Sequence, residues 1–438
     1  MLLVHSTKRR IGRYSFMDAT SRWWCATILS LTVAKCRIGN SQCMAMAMAK
    51  GSTSLASHGG GGGVPFPPIL PASDKIKTLV EFDSSAANAD GGSPTVRAVW
   101  TSMNYVTPDT GEVHVRRDPT GCDSTIDGAT WHPVDVPIGN ARLLSTDSEP
   151  ILDHNGFELV TNGESSSCTY SLPPPVRKDL DFLDTPSVID EYYPHCERLL
   201  QSVLNGNGKD RTRQQKVLVK AFDHNIRMSS TNYGGDELKG GGGSKAQIPL
   251  GLVHGDYTMS SGPRRLLDLS LPPKTNDVLK HKLGDQPLLD PNMVKDALNG
   301  KRRFALINVW RNIDSESPVM EYPLACMDAY SVHKEDLRTL YIHYADRVGE
   351  NYFCSSSHHD VDKEGSNKWY YFPQMTYDEA LLIKQWDSYG TWAQSKTFTP
   401  TGLSTFAIHS AFVDPTSPNI RPPRRSIEVR CACIWQDE

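Results

Sequence analysis

The densest chemistry in this 438-residue chain is the run Val253-His254-Gly255-Asp256-Tyr257-Thr258. On a strand, residues two apart face the same side. His254 and Asp256 can therefore point together into a barrel. A third ligand would complete a two-histidine, one-carboxylate face, which suits Fe(II) and leaves positions open for a cosubstrate and oxygen. His409 can supply it, from the strand-like stretch Thr405-Phe406-Ala407-Ile408-His409-Ser410-Ala411-Phe412. Fifteen residues further on comes Arg424-Arg425-Ser426. Arg424 and Ser426 share a strand face. A guanidinium clasps a carboxylate through two parallel hydrogen bonds, and a hydroxyl adds a third. A dicarboxylate such as 2-oxoglutarate can thus chelate a metal at one end and meet Arg424 at the other.

A competing His-x-Asp exists at His358-His359-Asp360. It sits in the polar, Ser-rich stretch 355–367, which reads as a loop. It also lies only 51 residues before His409, which leaves too few strand patterns for the middle of a jelly roll. The pair at 254 and 256 leaves 155 residues, room for four or more strands and a long loop.

The elements that must position these groups are mostly short strands from about residue 216 onward. Candidates are 216–222, 248–257, 303–313, 324–332, 340–344, 368–372, 405–413 and 426–435, and 379–386 reads as a short helix. No regular helix pattern separates the strands, so the expected fold is mainly β with α decorations. Its core would be a double-stranded β-helix, a cupin-like jelly roll, and not a parallel α/β sheet. One helix shows earlier. Thr185 can cap it, Pro186 fits its first turn, and Val188, Ile189, Tyr192, Cys196, Leu199, Leu200 and Val203 recur at helical spacing. Pro194 should kink it.

Composition bounds the rest. The net charge of −4 argues against a dedicated nucleic-acid binder, and no run of 18 apolar residues predicts a membrane span. Gly and Pro, 33 and 29 residues, favour turns over a helical bundle. Residues 1–73 hold eight basic residues and one acid, Asp18. They read as a targeting or disordered extension, to be kept out of the fold. The ten cysteines form no CxxC pair and no compact disulfide framework. Reduced cysteines imply an intracellular site, either cytoplasmic or, if 1–73 is a transit peptide, organellar. The expected organisation is the extension 1–73, an α+β region at 74–215 packing on the core, and the catalytic core at 216–438. Flexible insertions are expected at 229–246, around Gly240–Gly243, and at 355–367. Neither that glycine run nor Gly59–Gly63 forms a P-loop or a dinucleotide turn.

The order of VHGDYT, FALINVWRNI, PLACMDAYSV, WYYFPQMTYDEALLIKQWDS, IHSAFVDP and PPRRSIEVR resembles the fungal gibberellin-desaturase group. That group includes bacterial cephem 7-methoxylase-related proteins and fungal hydroxylase/desaturase proteins. The resemblance covers about 100–438. It implies a non-haem Fe(II), 2-oxoglutarate-dependent oxygenase on a double-stranded β-helix, hydroxylating or desaturating a small molecule with O2. His254, Asp256 and His409 would hold the iron, and Arg424 and Ser426 the distal carboxylate of 2-oxoglutarate. Tyr257, Asn308 and Trp310 would line the pocket or pack the barrel. His224 and Arg227 would reach the pocket or cap its rim. The chain lacks a glycine-rich strand-to-helix turn for a methyl donor, against a methyltransferase. Two readings stay open beside the oxygenase: a cupin-like Zn or Mn hydrolase or isomerase, and a non-catalytic barrel that binds a ligand.

Overall fold

The computed structural model describes residues 67–70, 80–82, 96–117, 123–145, 147–161, 176–206, 216–229, 246–344, 347–394 and 402–436. In chain order its first strands are β1 (Val80–Phe82), β2 (Val96–Val106), β3 (Val113–Arg117), β4 (Asp123–Asp127), β5 (Trp131–Asn140) and β6 (Phe157–Thr161). Next come β7 (Val217–Met228), β8 (His254–Gly255), β9 (Phe304–Asn312), β10 (Leu324–Met327) and β11 (Leu337–His343). The last are β12 (Val348–Cys354), β13 (Trp369–Tyr371), β14 (Glu379–Asp387), β15 (His409–Ala411) and β16 (Arg425–Trp435).

These strands make two sheets. The smaller is antiparallel, in the order β6-β14-β9-β16-β7. The larger runs β1-β2-β5-β13-β10-β15-β8-β12-β11-β3-β4, with parallel pairings at β13–β5 and β11–β3. Its central strands face the smaller sheet across one interior, giving the expected double-stranded β-helix.

Alternation along each strand decides what that interior contains. In the larger sheet one row runs His254, His409, Cys326, Tyr370 across four paired strands. In the smaller sheet the inner rows are Leu381, Trp310, Glu428, Asn225 and Ile383, Asn308, Arg430, Asp223. Phe157, Trp310, Cys326, Leu381, Ile383 and Ala407 form an apolar wall at one end, and the polar members gather at the other. The outward residues of the same strands, Ile307, Val309, Leu382, Val429 and Cys431, pack against the helices. On its far face the larger sheet encloses a separate cluster that includes Val99, Met103, Tyr105, Ile138, Ile408 and Phe412. Bridges from Asn104 to Leu252 and from Val106 to Ser355 bring β2 back over that cluster.

Several expectations are corrected. Residues 379–387 are a strand, not a helix. Its Ala380-Leu381-Leu382-Ile383 run is buried on both faces, so it shows no alternation and is rich in helix formers. The strands are also interrupted by helices, α3 (Ser261–Asp268), α4 (Lys280–Leu283) and α5 (Pro291–Leu298). The last carried a readable signal, an Asp290 cap that accepts from the Asn292 and Met293 N–H groups with Pro291 in the first turn. The earlier helix forms as α1 (Thr185–Ser187) and α2 (Tyr193–Gly206), joined by a π turn over Val188–Tyr192. Asp184, not Thr185, caps it by accepting from the Ser187 N–H at 3.0 Å. The π turn falls just before Pro194, whose ring removes a donor.

The extension 1–73 and the insertion 229–246 lie almost wholly outside the described residues. Within 355–367 a short 3-10 turn spans Ser356–His358.

Candidate metal centre

β8 and β15 set the two histidines opposite each other, His254 against His409. Their ring centroids are 4.4 Å apart at 52°. Asp256 follows just past the end of β8, its N–H donating to Gln385 Oε1 at 3.3 Å. All three side chains are buried. One ligand atom from each lies within 4.8 Å of the other two, and no other such group of three or more occurs among the described residues.

Surrounding groups orient these donors. His254 Nδ1 lies 2.7 Å from the Leu252 carbonyl. A carbonyl only accepts, so Nδ1 carries the proton and the Nε2 lone pair faces Asp256 Oδ1, 3.8 Å away. Asp256 Oδ2 accepts from Asn308 Nδ2 at 2.9 Å and lies 3.6 Å from Arg430 Nε. One carboxylate oxygen is thereby fixed and the other left toward the histidines.

The protonation states suit metal binding. Burial, helped by His409, pushes His254 down to about 4 against the pull of Asp256. Burial likewise lowers His409 against the pull of Asp256. Burial alone would raise Asp256. Arg430, the two histidines and the Asn308 hydrogen bond outweigh it and hold the carboxyl well below the usual range. Near neutral pH the site offers two neutral imidazoles and one carboxylate, the forms a metal needs. His409 Nδ1 is buried with no hydrogen-bond partner, an orphaned atom in a donor set that fits Fe(II).

Arg424 and Ser426 share the cavity with this triad, as do Asn225, Arg227, Leu250, Trp310, Leu324, Ala411, Glu428 and Arg430. Arg424 Nε donates to Ser426 Oγ at 2.9 Å, and its guanidinium carbon stands 5.1 Å from the Trp310 ring centre. Arg424 is 3% exposed, and no acid among the described residues pairs with it. Burial, with Arg227 nearby and only partly offset by Glu428, pushes it down to about 9.

Of the other expected pocket residues, Trp310 and Arg227 line the cavity, and Asn308 reaches it through Asp256. Tyr257 packs against the helix-side apolar layer. His224 also turns outward, its Nδ1 2.8 Å from the Tyr193 hydroxyl. The competing motif is dispersed: His358 pairs with Asp336 at 2.8 Å and stacks on His333, and His359 turns to the Ser356 carbonyl. Asn225, Glu428 and Arg430 were missed. Extending the alternation from Arg424 and Ser426 would have found Glu428 and Arg430.

Two histidines and an aspartate thus sit together at the polar end of the interior of a double-stranded β-helix, the donor set that non-haem Fe(II) oxygenases use. A family model described as an oxidoreductase/YMDC permease-like domain matches residues 103–284 and 287–434. The hydroxylase/desaturase efuI of Hormonema carpetanum is 35% identical over 354 residues, covering 79% of this chain and 97% of that protein. The Fe(II)/2-oxoglutarate-dependent dioxygenase nvfI of Aspergillus novofumigatus is 26% identical over 336 residues, covering 76% and 95%. The solved structure of the iron and alpha-ketoglutarate-dependent endoperoxidase NvfI shares the fold, with a TM-score of 0.52 at 22% identity, covering 78% of this chain and 99% of that one. The chain belongs to this oxidoreductase family of hydroxylase/desaturases and Fe(II)/2-oxoglutarate-dependent dioxygenases. No helix among the described residues is long and apolar enough to cross a membrane.

Proposed function

We propose that His254, Asp256 and His409 hold Fe(II), that Arg424 and Ser426 hold the distal carboxylate of 2-oxoglutarate, and that the chain hydroxylates or desaturates a small molecule using O2. The observation that carries this reading is the pairing of a three-ligand centre with a buried arginine that has no acid partner among the described residues. An unpaired buried charge costs several kcal/mol, roughly, unless an anion joins it. A dicarboxylate that reaches both sites meets that need.

Bound iron would supply oxygen activation coupled to decarboxylation of 2-oxoglutarate to succinate and CO2. The protein's part is orientation and exclusion of water. The Leu252 carbonyl fixes the His254 tautomer. Asn308 and Arg430 aim the Asp256 carboxylate. Trp310 covers one face of Arg424, and the wall of Phe157, Leu381 and Ile383 keeps the adjoining interior apolar.

Family membership favours this reading over a Zn or Mn hydrolase or isomerase and over a non-catalytic binder. An intracellular location, cytoplasmic or organellar, goes with it; the five cysteines among the described residues, Cys196, Cys326, Cys354, Cys431 and Cys433, are free and buried, which suits a reducing compartment.

The test is anaerobic titration with Fe(II) and 2-oxoglutarate, followed by the weak visible charge-transfer band. A band lost in His409→Ala supports the centre. Absence of a band, with tightly retained zinc, defeats it.

A further inference from the structure

Arg424 is braced from behind by a turn that no motif marks. Its Nη1 donates to the Tyr322 carbonyl at 2.6 Å, while Nε is engaged with Ser426. Trp310 covers one face of the guanidinium. In-plane rotation is thus opposed by two hydrogen bonds, and out-of-plane movement toward Trp310 by its ring.

The brace is itself under constraint. Tyr322 has a φ of 46°, in the left-handed region disfavoured for any residue with a Cβ. It directly precedes Pro323, which pushes its neighbour toward extended backbone. An extended Tyr322 would swing its carbonyl away from Arg424. The surrounding contacts hold it in place. The Arg424 N–H donates to Ser229 Oγ at 2.7 Å, and the Ser229 N–H donates to the Arg424 carbonyl at 3.1 Å. The Ser229 hydroxyl in turn donates to Glu321, and Glu321 lies 4.0 Å from Arg421 Nε. The Glu321-Tyr322-Pro323 turn therefore touches Arg424 twice, at the guanidinium directly and at the backbone through Ser229. A backbone strain kept beside a buried ligand-facing charge is the kind a functional site retains.

We propose that this turn is a positioning device: it fixes the reach of Arg424 and so sets the affinity and chain-length preference for the 2-oxo dicarboxylic acid. The proposal rests on the assignment of Arg424 as the carboxylate clamp. A guanidinium at a fixed distance from the metal centre favours one dicarboxylate length, and a loosened one tolerates several.

Anaerobic Fe(II) binding to the full chain, with 2-oxoglutarate or 2-oxoadipate as the probe and the charge-transfer band as readout, tests this. Glycine adopts positive φ freely, so Tyr322→Gly should keep the 2-oxoglutarate Kd within about twofold. Tyr322→Val, whose branched side chain resists that backbone, should raise it about tenfold, the loss of one hydrogen bond to a charged group, and narrow the preference over 2-oxoadipate. Melting temperatures recorded alongside separate this order from general loss of stability. Equal Kd values for the two variants, in a wild type that binds 2-oxoglutarate, overturn the positioning role alone. A wild type that shows no band removes the Arg424 assignment and the proposal with it. Should Tyr322→Val not fold, Ser229→Ala carries the test, with a several-fold weaker Kd expected and an unchanged one overturning it.

Discussion

Asn308 on β9 reaches across the interior to Asp256, donating from Nδ2 to Oδ2 at 2.9 Å. Arg430, registered beside Asn308, approaches the same oxygen at 3.6 Å. Arg430 is shared with Asp223 at 3.0 Å and Glu428 at 3.4 Å, so Asn308 is the partner given to Asp256 alone. Asn308→Ala should free the carboxylate to rotate and weaken Fe(II) binding about 10–100-fold, the usual effect of removing an outer partner of a ligand. Calorimetric or dialysis measurement of metal affinity checks this, and affinity within twofold of wild type would sink it.

Arg424→Lys keeps a positive charge but not the planar fork. The lysine can form neither the bond to Ser426 nor the contact with Tyr322 in the same geometry. The expected outcome is a KM for 2-oxoglutarate raised at least tenfold, roughly, with a smaller fall in kcat. Steady-state kinetics across a 2-oxoglutarate series decides it. A fall in kcat at unchanged KM would mean that Arg424 does not hold the cosubstrate.

How much of this was legible in the sequence depended on whether alternation was visible. β9 and β16 carry polar groups among apolar ones, at Asn308, Arg430, Ser426 and Glu428, so their two faces separate and the strands could be read. β14 is buried on both faces, and its apolar run carries no period. β8 is only two residues long, yet His254 and Asp256 stood out once His409 and the Arg424–Ser426 pair further on gave them partners. The strands between 96 and 140 went unread, although β2 and β5 pair continuously from Ala98 opposite Gly139 to Val106 opposite Trp131. The brace on Arg424 was beyond reach, since a backbone carbonyl and a positive φ at a tyrosine leave no trace in residue type.

Gly262 in α3 makes a sharp packing test. A Cβ placed there would stand 2.4 Å from the Trp386 ring. Trp386 is buried and stacks on Phe304 at 4.8 Å, so it has little freedom to move. Gly262→Ala gains helix propensity of about 1 kcal/mol. The forced displacement of a packed ring costs about 1–3 kcal/mol and should win. Urea denaturation should show net destabilisation, and a midpoint above wild type would show that the ring relocates freely.

The last prediction concerns pH and the layer under α2. His195 is 6% exposed. Arg311 Nη2 on β9 lies 3.3 Å from its Nε2, and the Tyr192 ring stacks on it at 5.8 Å. Beyond them Tyr377 contributes its carbonyl to Arg311 at 2.8 Å, and no acid faces the imidazole among these contacts. Burial, then Arg311 and Arg198, pushes His195 down to about 3. Its unfolded value is about 6.5. The folded state therefore binds the proton more weakly. The stability it confers is fully present above pH of about 6.5 and is lost as pH falls toward about 3, with a limiting slope of ~1.4 kcal/mol per unit. His195→Gln keeps an acceptor for Arg311 and removes the titration. Over that window the variant's unfolding free energy should fall less steeply than that of the wild type. Parallel curves for the two proteins would show that His195 is already charged or already exposed in the folded chain.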